Sequence, residues 1–450
     1  MSFRALVVNP WVADFKLYDE WMHPVGLYFL MSFLEQNGVD VSYFNFLSRS
    51  DNEKSNANGT GAFPSREFPK PSLYKNVRRR YKLYGRPVQD FESFSLSLPR
   101  PDVICVGSAM TYWVAGLKQT IDVLAKAFPG IPCIVGGTAA TLMPPQVLRS
   151  MLSPAHIFGG TVFDGASASQ RGSGTPFLAD MTLLPYHASM IAGLQRIDRA
   201  WHAPALTSLG CPLSCTYCAS NALFGGFQAR PPDIVANEIE YMVAHRGVRD
   251  IAFYDDALLY KPEEHVLPLL KILRDRGISA RFHIPNGMHV RWITPQLIDI
   301  MLASGFTTIR LGYESGRTQD MRQTRGKATP EQLAQKVLLM RKAGFAAKSI
   351  GVYLMGGLPG QMPQDVIREI DAVATLGIAV KPVFLSPVPK TALFDQYAKQ
   401  FPEIVTDPLW HNDSFFITQL PGWNADAVQE VMDRAKNQNA KLPTDRPEVS

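Results

Sequence analysis

Cysteine is scarce in this chain, with 5 in 450 residues. So few, so unevenly spread, exclude the disulfide framework of a small secreted scaffold and suit a reducing compartment, so a cytoplasmic location is expected. No apolar run reaches the length that crosses a bilayer, and the first residues, MSFRALVVNP, read as the approach to a strand and not as a signal peptide. No membrane span is therefore expected. A strong charge of one sign is also missing, since a net charge of +5 does not by itself point to nucleic acid. What the chain does have is length and an apolar content of 46%, enough for two domains with accessory segments.

Three of the cysteines, Cys211, Cys215 and Cys218, lie together in SLGCPLSCTYCAS, a C-x-x-x-C-x-x-C spacing. Thiolates are soft ligands, and three on one short loop can hold three corners of an iron-sulfur cube while the fourth iron stays unligated. On spacing alone, a chance grouping of thiols is the competing reading. The other two, Cys105 and Cys133, sit in apolar strand-like runs. With Tyr217 just before the last cysteine, the motif resembles the radical S-adenosylmethionine superfamily. The resemblance implies a [4Fe-4S] cluster whose free iron chelates the amine and carboxylate of S-adenosyl-L-methionine, and one-electron cleavage of that cofactor to a 5'-deoxyadenosyl radical. It also implies an electron donor such as flavodoxin or ferredoxin. The three cysteines are then both metal ligands and catalytic residues.

Before this motif the punctuation is βαβ: a strand at 4–9, a helix at 25–36 closed by Asn37-Gly38, a strand at 39–46, and later a strand at 102–108, a helix at 114–128 and a strand at 131–135 ending in Gly136-Gly137-Thr138. Ligands of such open sheets lie beyond the carboxyl ends of the strands. Ahead of a radical module, NPWVADFKLYDEWMHPVGLYFL with MTYW and GGTAAT resembles the N-terminal cobalamin-binding domain of cobalamin-dependent radical enzymes. That resemblance implies contacts to cobalamin from Asn9, Ser108, Thr111, Tyr112, Trp113, Gly136, Gly137 and Thr138, with a purely structural Rossmann-like domain as the alternative. The D-x-H-x-x-G motif that supplies histidine to cobalt is absent, and His23 is the nearest candidate ligand. The polar run ASASQRGSG suggests a flexible joint. YKNVRRRYKLYGR reads either as a solvated loop or clamp, or as a basic and aromatic RNA contact.

From Ala205 a strand, loop and helix recur about six times, the pattern of a partial (β/α) barrel whose active residues sit at strand ends. The family match places the backbone beside Tyr217 against adenine. It further implies that Asp255 and Asp256 receive the cofactor amine, with helix capping as the alternative, and that Asn286, in a Pro285-Asn286-Gly287 turn, bonds the carboxylate or a ribose hydroxyl. Glu314 and Ser315, in L-G-x-E-S-G, correspond to the residues that hold the ribose or methionyl end. Arg325 is expected to pair with the cofactor carboxylate or in a surface salt bridge, and the turn with Gly356, Gly357 and Pro359 to line adenine. Lys390 stands where relatives carry glycine.

The expected fold is α/β: an N-terminal Rossmann-like cobalamin-binding-type domain at 1–165, a linker at 166–199, a partial (β/α)6 radical SAM barrel at 200–400, and a helical C-terminal extension at 401–450 whose last ten residues look disordered. The expected activity is cobalamin-dependent methylation of an unactivated carbon on a small-molecule or peptide substrate. The alternatives are rearrangement, cyclisation or dehydrogenation with a vestigial first domain, and RNA modification. Against the last stand the missing cysteines, since methylthiolating enzymes carry three more in the N-terminal domain and only Cys105 and Cys133 are found here. Nucleic acid is therefore not an expected partner.

Overall fold

The computed structural model describes residues 3–49, 53–160 and 188–443. In the N-terminal part, β1 (Arg4–Asn9), β2 (Asp40–Asn45), β3 (Val103–Val106), β4 (Cys133–Val135) and β5 (His156–Ile157) form a parallel sheet in the order β2-β1-β3-β4-β5. The helix α1 (Val25–Gln36) joins β1 to β2 and buries Leu27, Tyr28, Phe29, Met31, Phe33 and Leu34. It stops where Gly38 takes φ +73°, a conformation that costs glycine little. On the other face, α2 (Val114–Ala127) buries Leu117, Ile121 and Leu124. Cys105 and Cys133 lie within strands and are buried, which leaves the clustered three as the reactive set.

The second unit is a six-stranded sheet of β6 (Ala203–Ala205), β7 (Asp250–Phe253), β8 (Arg281–His289), β9 (Phe306–Glu314), β10 (Ile350–Gly356) and β11 (Ala379–Phe384). Each strand pairs in parallel with the next, and β11 does not close onto β6, so this is the expected partial barrel. The intervening helices include α3 (Pro232–Glu240), α4 (Val266–Asp275), α5 (Pro295–Ala303), α6 (Pro330–Ala343) and α7 (Pro363–Ala374). Capping fixes their starts: Thr329 and Gln332 form a reciprocal capping box at α6, with Pro330 in the first turn. One boundary differs from expectation. Pro285-Asn286-Gly287 is not a turn after a strand but a register-shifted bulge inside β8, which runs on to His289. Gly287 permits it, because a Cβ there would lie 2.8 Å from the Gly312 Cα.

The barrel lumen is plugged by the N-terminal unit. Trp21, held at φ 62°, stacks on His283 of β8 with ring centroids 4.3 Å apart. Glu20 pairs with Lys381 of β11 at 2.8 Å, and Tyr254 donates to the Trp21 carbonyl. Asp19 binds Arg49 at 2.9 Å and His202, just before β6, at 3.0 Å. The insertion after β2 docks beside this plug, its Asn58 and Ala57 carbonyls accepting from Trp21 and Arg281. The basic run is also engaged: Arg78 pairs with Asp426, Arg80 with Glu67 and Arg86 with Asp90, while Tyr81 and Tyr84 are buried.

The polar run ASASQRGSG lies outside the described residues, as does 444–450. The described end of the expected linker is not loose, since Met190 and Leu194 are buried and a Cβ on Gly193 would strike Tyr28 of α1. The C-terminal segment carries α8 (Ala392–Ala398) and then α9 (Ala425–Ala440), and it ties both units together. Asn439 bonds both backbone groups of Val380, covering the β11 edge. Asn412 donates to Asp14, and Tyr74 donates to the Leu409 carbonyl. No helix among the described residues is long and apolar enough to cross a membrane.

Candidate active site

The cysteine loop is held from behind by Asp255. Its carboxylate accepts from the Thr207 amide at 3.1 Å and from the Thr207 and Ser208 hydroxyls at 2.6 Å each, so the strand that delivers the loop is pinned to the end of β7. Asp255 is buried and fully occupied, which places it in support of the loop and not on a cofactor amine. Asp256 points the other way. Ser220 donates to it at 2.5 Å, burial raises its pKa, and it in turn raises those of Cys211 and Cys218. Burial, and after it Asp256 and the other two thiols, push Cys218 up to about 11, so the three sulfurs and Asp256 share one neighbourhood. Among the described residues no three His, Cys, Asp or Glu side chains converge on a single metal ion. A cube, which takes one thiolate per corner, asks for wider spacing.

Across the loop, Glu314 ends β9 at φ 71°, a strained conformation for a side-chain-bearing residue, and is buried. Lys327 answers its charge at 2.7 Å. Burial opposes the Lys327 charge, but Glu314 and Cys215 outweigh it and raise the ammonium above its ordinary range. The same Lys327 lies 5.6 Å from the Tyr217 ring centre. Around it are buried polar atoms with no partner among the described residues: the Thr324 hydroxyl and both ring nitrogens of His289. Native interiors rarely leave such groups unpaired. A polar ligand carrying a positive charge would suit the acidic groups Glu314 and Asp256 and give the unpaired atoms partners. Lys327 was not singled out in the sequence, although it stands two residues beyond Arg325 in the same TRGKATPEQL segment.

Several expected contacts are placed elsewhere. Ser315 is buried and donates to Asp320 and Glu369 on the helix side of the sheet. Arg325 is exposed and donates to the Ser214 carbonyl at 3.0 Å, bracing the cysteine loop. Asn286 is exposed and donates to the Tyr254 carbonyl, which ties β8 to the end of β7 beside Asp255. The glycines at the end of β10 face side chains of the chain itself: a Cβ on Gly356 would meet the rings of Phe384 and Trp423, and one on Gly357 the aliphatic Ile417, Leu385 and Leu420. Pro359 is half-buried next to them. Sequence reasoning missed that the C-terminal segment would take this place because nothing in a local motif reports on a chain 60 residues away.

The N-terminal strand ends open on a cavity of about 380 Å³, lined among others by Asn9, Ser108, Trp113, Gly136, Gly137 and Thr138. Gly137 has φ 96°, and a Cβ there would lie 2.4 Å from the Ser108 carbonyl, so only glycine fits. Thr111 and Tyr112 are not on the cavity wall. Both are buried, and Thr111 bonds the His411 ring at 2.7 Å, because this turn packs against the C-terminal segment. His23, the one histidine among the lining residues, has both nitrogens engaged, Nδ1 with the Tyr28 hydroxyl at 2.9 Å and Nε2 with His202 at 2.8 Å. It is therefore not free to ligate cobalt. Leu223 and Phe224, which follow the cysteine loop, line the same cavity. Lys390 adopts φ 64°, which explains why glycine would be at ease there, and it reaches across to the Thr141 carbonyl at 2.6 Å on the cavity rim.

Residues 206–373 match the family model described as the radical SAM superfamily. Over nearly its whole length it is similar in fold to the radical S-adenosylmethionine methyltransferase TsrM from Kitasatospora setae, solved with cobalamin and a [4Fe-4S] cluster bound. That likeness has a TM-score of 0.64 at 16% identity and covers 96% of this chain and 91% of that one. The cobalamin-dependent radical enzyme OxsB is similar at a TM-score of 0.52 and 12% identity, over 97% of this chain and 61% of that one. An uncharacterized methyltransferase of Pyrococcus horikoshii, PH0819, is 23% identical over 192 residues, 42% of this chain. The match spans 40% of the length of that curated relative. The fold class expected from the sequence is borne out.

Proposed function

We propose that this chain is a cobalamin-dependent radical SAM methyltransferase acting on an unactivated carbon of a small-molecule or peptide substrate. In this reading Cys211, Cys215 and Cys218 hold a [4Fe-4S] cluster, and Asp256, Glu314 and Lys327 orient S-adenosylmethionine on it. The cavity at Gly136, Gly137 and Thr138 takes the corrinoid, and a flavodoxin or ferredoxin supplies electrons. When bound, these groups supply a 5'-deoxyadenosyl radical and a transferable methyl group. The chain's own share is placement. Asp255 fixes the loop, Glu314 and Lys327 present a paired charge at the cofactor, and Trp21 packs on His283 of the barrel.

One observation carries the reading. The cavity at the N-terminal strand ends is lined also by Leu223 and Phe224, which follow Cys218 closely in the chain, so a corrinoid there would lie beside the segment that carries the cluster ligands. With both His23 nitrogens engaged, the lining would offer a bound corrinoid no free imidazole. The test is anaerobic reconstitution with iron, sulfide and hydroxocobalamin, followed by desalting and cobalt analysis. About one cobalt per chain, with an absorption spectrum lacking nitrogen ligation from the protein, is expected. Protein that cleaves S-adenosylmethionine while retaining no cobalt would remove the methyl-transfer half of the proposal.

A further inference from the structure

His289 is the last residue of β8 and pairs in register with Gly312 of β9, two residues before Glu314 on the same strand. Gly312 faces Lys327, since a Cβ there would lie 3.2 Å from Nζ, so His289 stands on the strand row next to the Glu314–Lys327 pair. Its ring is 5% exposed and stacked on Trp292, with centroids 4.5 Å apart and planes 27° apart. The stack fixes the imidazole plane. Neither ring nitrogen has a hydrogen-bond partner among the described residues. A nonpolar ring of this shape would satisfy the packing at no polar cost, whereas an imidazole left unpaired in the interior is unfavourable. The arrangement makes sense when a ligand completes it.

We propose, on the basis of the functional reading above, that His289 is a binding residue for the nucleoside part of S-adenosylmethionine. Its ring offers one donor and one acceptor, and matches groups that present both, such as the ribose hydroxyls or the edge of adenine. The charged methionyl end is matched instead by Glu314, Lys327 and Asp256. Burial, then Lys327 and Arg291, hold the His289 pKa down to about 4, so the ring is neutral at working pH and suits an uncharged partner. Trp292 is a positioning residue that acts through the His289 ring. Neither residue belongs to the motifs by which the site was read from sequence.

The test is the dissociation constant of S-adenosylmethionine for reconstituted, cluster-loaded protein, measured by calorimetry for wild type, His289→Phe and His289→Gln, with iron content and the unfolding temperature of each without S-adenosylmethionine. His289→Phe keeps the stack and removes both polar atoms. It should bind about tenfold to a hundredfold more weakly, with iron content unchanged and an unfolding temperature equal to or above that of wild type. His289→Gln, which restores a donor and an acceptor, should recover part of the affinity. A constant for His289→Phe within twofold of wild type, or no recovery with His289→Gln, would overturn the assignment and leave the functional reading standing. Wild type that binds iron but not S-adenosylmethionine would overturn that reading itself. Should His289→Phe lose its cluster, the smaller His289→Leu carries the same comparison.

Discussion

Replacing Asp255 by alanine tests whether this carboxylate supports the cysteine loop. Asp255 accepts from three donors on buried residues, the Thr207 amide and the Thr207 and Ser208 hydroxyls. The Thr207 hydroxyl has a second acceptor, His265 Nδ1 at 2.7 Å, so two donors are stranded when the carboxylate goes. At about 1–3 kcal/mol for each buried unsatisfied group, the loss is about 3 kcal/mol. For a unit of this size that corresponds to a fall in unfolding temperature of roughly 6–12 °C. The loop also loses its anchor, so iron retained after anaerobic reconstitution should fall with it. Asp256→Asn, which keeps an acceptor for Ser220, should leave the unfolding temperature within a few degrees and retain iron. Asp255→Ala protein that melts within about 2 °C of wild type and holds a full complement of iron would refute the supporting role.

Acidification should loosen the C-terminal segment. Burial lowers the His411 pKa to about 4, against an ordinary value near 6.5, so the unfolded chain binds more protons between these values and stability falls as pH drops through that window. At pH 5 the loss is about 2 kcal/mol relative to pH 7, read as a shift in the urea midpoint, and His411→Gln should flatten this dependence. Trp21→Ala should cost about 3–5 kcal/mol by emptying the plug against His283, with barrel and N-terminal unit destabilised together in fluorescence-monitored unfolding. A cost under 1 kcal/mol would mean that the lumen is closed by other residues.

The parts of this structure that were legible in the sequence are those encoded locally. Alternating apolar runs, the Asn37-Gly38 stop and the strand-end glycines mark β1, α1, β2 and most of the barrel, because chain geometry and burial act over a few residues. The cysteine loop and Glu314 stand out in the sequence because the chemistry proposed for them is tied to a short spacing. What was not legible depends on distant segments. The bulge at Asn286 follows from the close approach of Gly287 to Gly312, and the burial of Thr111 and Tyr112 from docking of His411. Ser315 looked like a cofactor contact by its place in the motif, but β9 turns it outward to Asp320 and Glu369. Lys327 became visible only once the segment after β9 was folded back over the cysteines.

In the proposed function, three thiolates on one loop hold a cluster with an open iron beside Glu314 and Lys327. It is tested most directly by iron and sulfide analysis and electron paramagnetic resonance of anaerobically reconstituted protein, with and without S-adenosylmethionine, for wild type and the Cys211→Ala, Cys215→Ala and Cys218→Ala variants. Wild type should carry about four irons, with a reduced-cluster signal that changes when S-adenosylmethionine is added, and each variant should lose both. Full iron content and an unchanged signal in any one of the three variants would contradict the account.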